Sequence, residues 1–292
     1  MYIKRLVVFG DSILDTGNII KTLDIPQEPY YKGRFSNGII ATEHLAKMIS
    51  KSQMSGKIEH KSYAIGGAFT HGRNPSSLLR NHSFSVSDQM VRFENEEGRF
   101  KDDDLVVING GANNFMFMIY NEIPYVNLTA KYRVARDLRM IARKAIKMGA
   151  KNIIVWNVPD VTSAPAYKDY LSGYVGRFFK KYMQTNINLQ NGLLRKNIAT
   201  LQMFFPDVSI KLFDFQTLLY NCVTTPDKYG FENVTDVCVD SYGGADSDGN
   251  IQYDVEIIGD PDKYLCWDYC HPTSKAHEVV ANGMLELLNP EL

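Results

Sequence analysis

The sequence predicts an α/β fold, a parallel sheet joined by crossover helices, and three observations predict it. Short β-branched apolar runs alternate with longer stretches of helical period, the pattern of strands linked by helices. The clearest runs, "RLVVFG" and "DLVVING", are apolar almost throughout and end in glycine, as strands buried on both faces do. Length and composition agree: 292 residues, 45% hydrophobic and 22% charged, suit a globular protein with a sizeable core. No repeat, low-complexity tract or Gly/Ser linker divides the chain, so residues 1–292 are read as one domain.

Each element has its own signal. "RLVVFG" (5–10) is the first strand, "HKSYAIGG" (60–67) the second and "DLVVING" (104–110) the third. "NIIVWNV" (152–158) and "VSIKLFD" (208–214) complete a set of five. Between the third and fourth, Val134, Leu138, Ile141, Ala145 and Met148 recur at helical spacing, with Gly149 as the stop. Residues 176–203 carry Phe179, Ile187, Leu194, Ile198 and Leu201 on a similar period, closed by Pro206. A last helix runs from Ser274 to Leu288, with Val280, Met284, Leu287 and Leu288 on one face. Residues 222–265 are rich in Gly, Asp, Asn and Tyr, and are expected to form a long loop over the carboxyl ends of the strands.

Charge narrows the function classes. Lys and Arg number 32 against 33 Asp and Glu, so no global field favours nucleic acid. No apolar stretch approaches the roughly 20 residues that cross a bilayer. "MYIKRLVVFG" runs straight into the first strand without a separate apolar leader. The expectation is a secreted or exported protein whose signal lies outside this numbering, with cytoplasmic residence as the alternative.

The chemistry starts at Ser12, two residues past the first strand. Ligands of doubly wound sheets bind at the carboxyl ends of strands, where a serine is either turn punctuation or a nucleophile. A nucleophile needs a base, an acid to orient the base, and donors for the oxyanion. Of six histidines, His44, His60, His71 and His82 have no acid placed to orient them. His271 lies three residues after Asp268, a spacing that lets the carboxylate reach Nδ1 and leaves Nε2 for a hydroxyl. His277 is six residues beyond His271 and falls on another face, so no metal is expected. Asn113, in "INGGANNF", and Gly67, in "AIGGAF", stand at two further strand ends as candidate donors.

Taken together, these segments resemble the GDSL, or SGNH, serine hydrolases over nearly the full chain. The family's first block corresponds to "FGDSILDTGN", with Ser12 as nucleophile, and its second to "SYAIGGAFT", with Gly67 in the oxyanion hole. The third, Gly-x-Asn-Asp, appears as Gly111-Ala112-Asn113-Asn114, with Asn114 replacing the usual aspartate. The last block supplies Asp268 and His271. The resemblance implies a three-layer α/β/α, flavodoxin-like sandwich around a mostly parallel five-stranded sheet. It implies a Ser12–His271–Asp268 triad, an oxyanion hole of Ser12, Gly67 and Asn113, and no metal or organic cofactor. "YYKGRFSNGIIATEHLA", "PDKYGFENVTDVC" and "WDYCHPTSKAH" are similar to the bacterial phospholipase and glycerophospholipid:cholesterol acyltransferase branch.

That branch implies a phospholipid or lysophospholipid substrate, cholesterol as an acyl acceptor, and transient contact with a membrane surface. A carbohydrate acetylesterase is the competing enzyme reading. A non-catalytic domain binding through 222–265 is the competing reading of another class. "FMFMIY" (115–120) follows the proposed donor, and Phe115, Phe117 and Met118 are expected to line an acyl channel, the alternative being a buried helix start. The four cysteines, Cys222, Cys238, Cys266 and Cys270, allow three full pairings. A Cys222–Cys238 bond is favoured, tethering 222–265 as a lid, with four free thiols as the alternative.

Overall fold

The computed structural model of the chain describes residues 2–54, 56–76, 78–120, 130–245 and 251–288. Strands β1 (Arg5–Phe9), β2 (Glu59–Ser62), β3 (Asp104–Ile108), β4 (Asn152–Trp156) and β5 (Ser209–Phe213) form one sheet. Their order is β2-β1-β3-β4-β5, and every neighbouring pair is parallel. All residues of β1 and β3 are buried, which explains why their sequences carry no alternation. The fold is the α/β sandwich that the alternating pattern predicts.

Side-chain alternation along the strands divides the core in two. Val7, Phe9, Val106, Ile108, Ile153 and Val155 face one layer. It contains α3 (Val86–Glu97), α5 (Ala130–Lys147) and α6 (Gly173–Phe204). Leu6, Val8, Leu105, Val107, Ile154 and Trp156 face the other, built largely from α2 (Ala41–Ser52) and α8 (Ser274–Leu288). At the amino end of the sheet the Arg5 guanidinium forks onto Asp104, Nε–Oδ1 2.8 Å and Nη2–Oδ2 2.7 Å, tying β1 to β3.

Two expected boundaries move. β2 ends at Ser62, yet Tyr63 and Ile65 continue beside β1 by donating to Val8 O and Gly10 O. The predicted second strand therefore covers an ordered extension as well as the strand. The segment 222–265 is not the loop its composition suggested. It contains the end of α7 (Phe215–Thr224) and the strands β6 (Asn233–Val237), β7 (Val239–Ala245), β8 (Ile251–Ile257) and β9 (Tyr264–Cys266). β6 pairs with β9 and β7 with β8, as two small sheets outside the main one. Residues 246–250 of this segment lie outside the described residues.

The topology also selects a place for a site. From β1 the chain goes to β2 on one side and then to β3 on the other. The crevice between the carboxyl ends of β1 and β3 is the switch point where such sheets bind ligands.

Candidate active site

Ser12 enters that crevice from a rigid turn. β1 ends at Phe9, and Gln89 then brackets Gly10 by accepting from its N–H and donating to its carbonyl, both at 2.8 Å. A Cβ on Gly10 would lie 1.8 Å from Asn109 Oδ1, so no other residue fits there. Asn109 in turn accepts from the Asp11 N–H at 3.1 Å and donates to Asp11 Oδ1 at 3.2 Å. The same Oδ1 caps a single 3-10 turn, Ser12–Leu14, by accepting from the Ile13 N–H. Asp15, fully buried, collects the amides of Gly17, Asn18, Ile19 and Gly66, fixing the exit from the turn.

His271 reaches Ser12 from the other end of the chain. Its Nε2 lies 2.8 Å from Ser12 Oγ, and its Nδ1 lies 2.8 Å from Asp268 Oδ2 and 3.0 Å from Oδ1. Asp268 Oδ1 also accepts the amides of Cys270 and His271, each at 2.7 Å, and Tyr30 donates its hydroxyl to Oδ2 at 2.8 Å. The Tyr30 ring stands edge-on to Trp267, and the Phe35 ring lies 4.8 Å from the imidazole.

The loop that carries the pair is held on two sides. The "GRFSNG" string grips one side: Ser36 Oγ donates to Pro272 O, Asn37 Oδ1 accepts from the Ser274 N–H, and Ser274 Oγ donates to Ile39 O. Arg34 anchors the string itself on Glu43, Nη2–Oε1 2.7 Å. On the other side the amides of Cys238 and Val239 donate to Trp267 O. The small sheets of 222–265 are thus part of the frame around His271.

Burial and charge oppose one another here. Burial alone would raise the Asp268 carboxyl, but the His271 charge and hydrogen bond, the Cys270 amide and the Tyr30 hydroxyl hold it below its ordinary value. Burial likewise lowers the His271 imidazole, and the Asp268 charge and hydrogen bond outweigh it, with a smaller pull from Asp11, so its pKa is raised. The pair is built to favour a protonated ring once a proton arrives.

The candidate donors follow the second and third strands. Gly67 has φ +73°, and its added Cβ would meet Leu79 Cδ1 at 2.2 Å, so the position demands glycine. Asn113, near the start of α4 (Ala112–Tyr120), donates from Nδ2 to Ala68 O at 3.2 Å, which sets its amide beside the Ala68–Phe69 peptide. The second N–H of that amide has no protein partner among the described residues and is free to point elsewhere. Among the described residues, the backbone N–H groups of Ser12 and Gly67 meet no protein acceptor. Asn114 accepts from the Thr70 N–H at 3.1 Å, a bond that an aspartate would make equally well.

The profile of the GDSL-like lipase/acylhydrolase family matches residues 6–284. The chain belongs to that family. Its relatives include the thermolabile hemolysin of Vibrio parahaemolyticus, 27% identical over 98% of this chain and 64% of the hemolysin. The chain therefore spans just under two thirds of the hemolysin's length. The phosphatidylcholine-sterol acyltransferase of Aeromonas hydrophila is 24% identical over 95% of this chain and 88% of its own. Among solved structures, an α/β hydrolase enzyme from the metagenome of Lake Arreo superposes with a TM-score of 0.52 at 16% identity, covering 98% and 96% of the two chains. An acetyl xylan esterase from Geobacillus stearothermophilus superposes with a TM-score of 0.51 at 15% identity, covering 100% and 97%. These likenesses fix the fold, and the family makes the chain a hydrolase acting on esters.

Within this GDSL-family chain, Ser12, Asp268 and His271 form one connected group, and Asn113 is hydrogen-bonded to Ala68, the residue after Gly67. Of the three apolar residues expected to line a channel, the two described side chains differ in setting. Phe115 is 1% exposed and packs in the core beside α5, because the first turn of α4 presses against the sheet. Phe117 is half-buried, its ring 5.9 Å from that of Phe69. The Met118 side chain lies outside the described residues. The Cys222–Cys238 bond is absent and all four thiols are free. Cys222 is buried on α7 with Phe231, Leu265 and Ala276, whereas Cys238 packs with Val239 and Trp267, its Sγ 3.3 Å from Gly259 O. Sequence reasoning missed Tyr30, which lies 238 residues from the carboxylate it serves. It also missed the Gln89–Asn109 clamp on Gly10.

Proposed function

We propose that the chain is a serine esterase that hydrolyses the acyl esters of phospholipids and lysophospholipids through an acyl-enzyme. The unbroken line from Ser12 Oγ through His271 to Asp268, with both links at 2.8 Å, carries the reading. His271 Nε2 takes the Ser12 proton as Oγ attacks the ester carbonyl, and Asp268 stabilises the imidazolium that results. The oxyanion is received by the N–H groups of Ser12 and Gly67 and by the Asn113 carboxamide. His271 then passes its proton to the leaving alcohol, and water admitted to the same base releases the fatty acid. A sterol hydroxyl in place of that water would make the enzyme an acyltransferase, the activity named in the Aeromonas relative.

The Phe69–Phe117 edge pair supports an acyl chain beside the donors, since both residues flank the Ala68–Asn113 hydrogen bond. The test is a product profile. Long-chain lysophosphatidylcholine is expected to release fatty acid far faster than acetylated xylose oligomers release acetate. Ser12→Ala, folded by circular dichroism, is expected to abolish turnover. A preference for the acetylated sugars would replace the lipid reading, and full activity of Ser12→Ala would remove the mechanism.

A further inference from the structure

The amino end of α6 has a composition that the chemistry of the site does not use. The helix spans 32 residues, yet its first buried side chain is Met183. Phe179 and Tyr182 already pack against the core, so the stretch that extends past it is residues 173–178, about 9 Å at 1.5 Å per residue. This end follows β4, so it projects from the carboxyl edge of the sheet, where Ser12 lies. The Ala166 N–H just before it donates to Tyr269 O at 3.0 Å, two residues from His271.

On this overhang Tyr174, Val175 and Phe178 are 83%, 78% and 73% exposed. At 100° per residue Tyr174 and Phe178 stand one above the other, with Val175 to one side and Arg177 and Lys181 to the other. Among the described residues neither cation has a carboxylate partner, although ion pairs are common elsewhere on the surface. Exposed aromatic rings beside unpaired cations, at a helix end whose packing on the core begins at Phe179, are the make-up of an interfacial anchor.

We propose that the overhang of α6 docks the enzyme on an anionic phospholipid surface. Tyr174, Val175 and Phe178 enter the headgroup layer, and Arg177 and Lys181 meet lipid phosphates. The inference deepens the lipid-ester reading and rests on it only in taking the surface to carry the substrate.

Docking and turnover can be read separately. Ser12→Ala protein, which leaves the lipid intact, is sedimented with vesicles of phosphatidylcholine and phosphatidylglycerol. It is expected to bind, and Tyr174→Glu/Phe178→Glu in that background to lower partitioning at least tenfold. Arg177→Ala and Lys181→Ala each cost about fivefold, and high salt reduces wild-type binding towards theirs. With Ser12 intact, the same surface substitutions leave turnover of a soluble short-chain ester within twofold, which also reports that they fold. Failure of the Ser12→Ala protein to sediment, binding unaffected by the substitutions, or a patch-dependent dimer in place of vesicle binding would each overturn the proposal. Loss of soluble-ester turnover in the native chain would instead count against the serine-ester reading.

Discussion

Replacing Asp268 by asparagine tests the proposed relay most sharply, because the change is nearly isosteric and its effect follows from the donors present. Four donors converge on the carboxylate: the Cys270 and His271 amides on Oδ1, the Tyr30 hydroxyl on Oδ2, and His271 Nδ1 between them. Asparagine keeps one acceptor oxygen, and the two amides at 2.7 Å will hold it at the Oδ1 position. The carboxamide NH2 then faces Tyr30 and Nδ1. Nδ1 must accept, the ring proton moves to Nε2, and no lone pair remains for the proton of Ser12. A tautomer error of this kind lowers kcat by about 10⁴ in a Ser-His-Asp triad, roughly 5 kcal/mol of barrier. The residual activity carries a second signature. Burial still lowers the His271 pKa while the Asp268 charge is gone, so the acid limb of the pH profile moves to lower pH. The assay is steady-state hydrolysis of a soluble p-nitrophenyl ester over pH, with far-UV circular dichroism as the control for folding. A folded Asp268→Asn enzyme within tenfold of wild type would refute the role given to the carboxylate.

Other predictions follow from the same geometry. In the wild type, His271 must be neutral to accept the proton, and its pKa is raised above 6.5, burial being outweighed by Asp268. kcat/KM is therefore expected to fall as pH drops through a midpoint above 6.5, and a midpoint below it would contradict the charge coupling. Asn113→Ala is expected to cost about 10²–10³ in kcat, the usual loss for one oxyanion donor; a change confined to KM would make Asn113 a substrate-binding residue instead. Asp104→Ala leaves the buried Arg5 guanidinium with Glu97 alone, and urea denaturation is expected to register a loss of about 3–5 kcal/mol. A loss under about 1 kcal/mol would mean that water reaches Arg5. Burial pushes the Cys222 thiol up to about 11 and that of Cys266 up to about 12, so these two are expected to react sluggishly with thiol reagents in the native state and freely in denaturant. A 222–238 cystine in a non-reducing peptide map would restore the bond that the structure lacks.

The parts legible in the sequence are those with local causes. β1, β3 and β4 are uninterrupted apolar runs because both faces are buried, and Asp268 and His271 are close in sequence because one loop carries both. Residues 222–265 misled because Gly, Asp and Asn dominate the composition. Beneath it, Ile251, Tyr253, Val255 and Ile257 alternate with polar residues, an ordinary strand signal. The cysteine pairing failed for a topological reason: an intervening strand, β6, carries Cys238 away from α7 and into the cluster around Trp267. Tyr30 and the "GRFSNG" grip were invisible for another reason. Their partners lie more than 230 residues away, and no local periodicity encodes such contacts.

The clamp around His271 has a consequence for when, during synthesis, the proposed site can first act. Ser12 and His271, its proposed proton acceptor, are separated by 259 residues of sequence. The loop between them is fastened both to residues 36–39 and to the strand pair at 237–239. During synthesis, the nucleophile and both candidate oxyanion donors emerge long before the base exists. A ribosome-bound chain arrested before Asp268 is therefore expected to carry a folded sheet edge and no esterase activity. The proposed catalytic group would then be completed as one late event, when the last helix docks, and a half-made copy would cleave no ester.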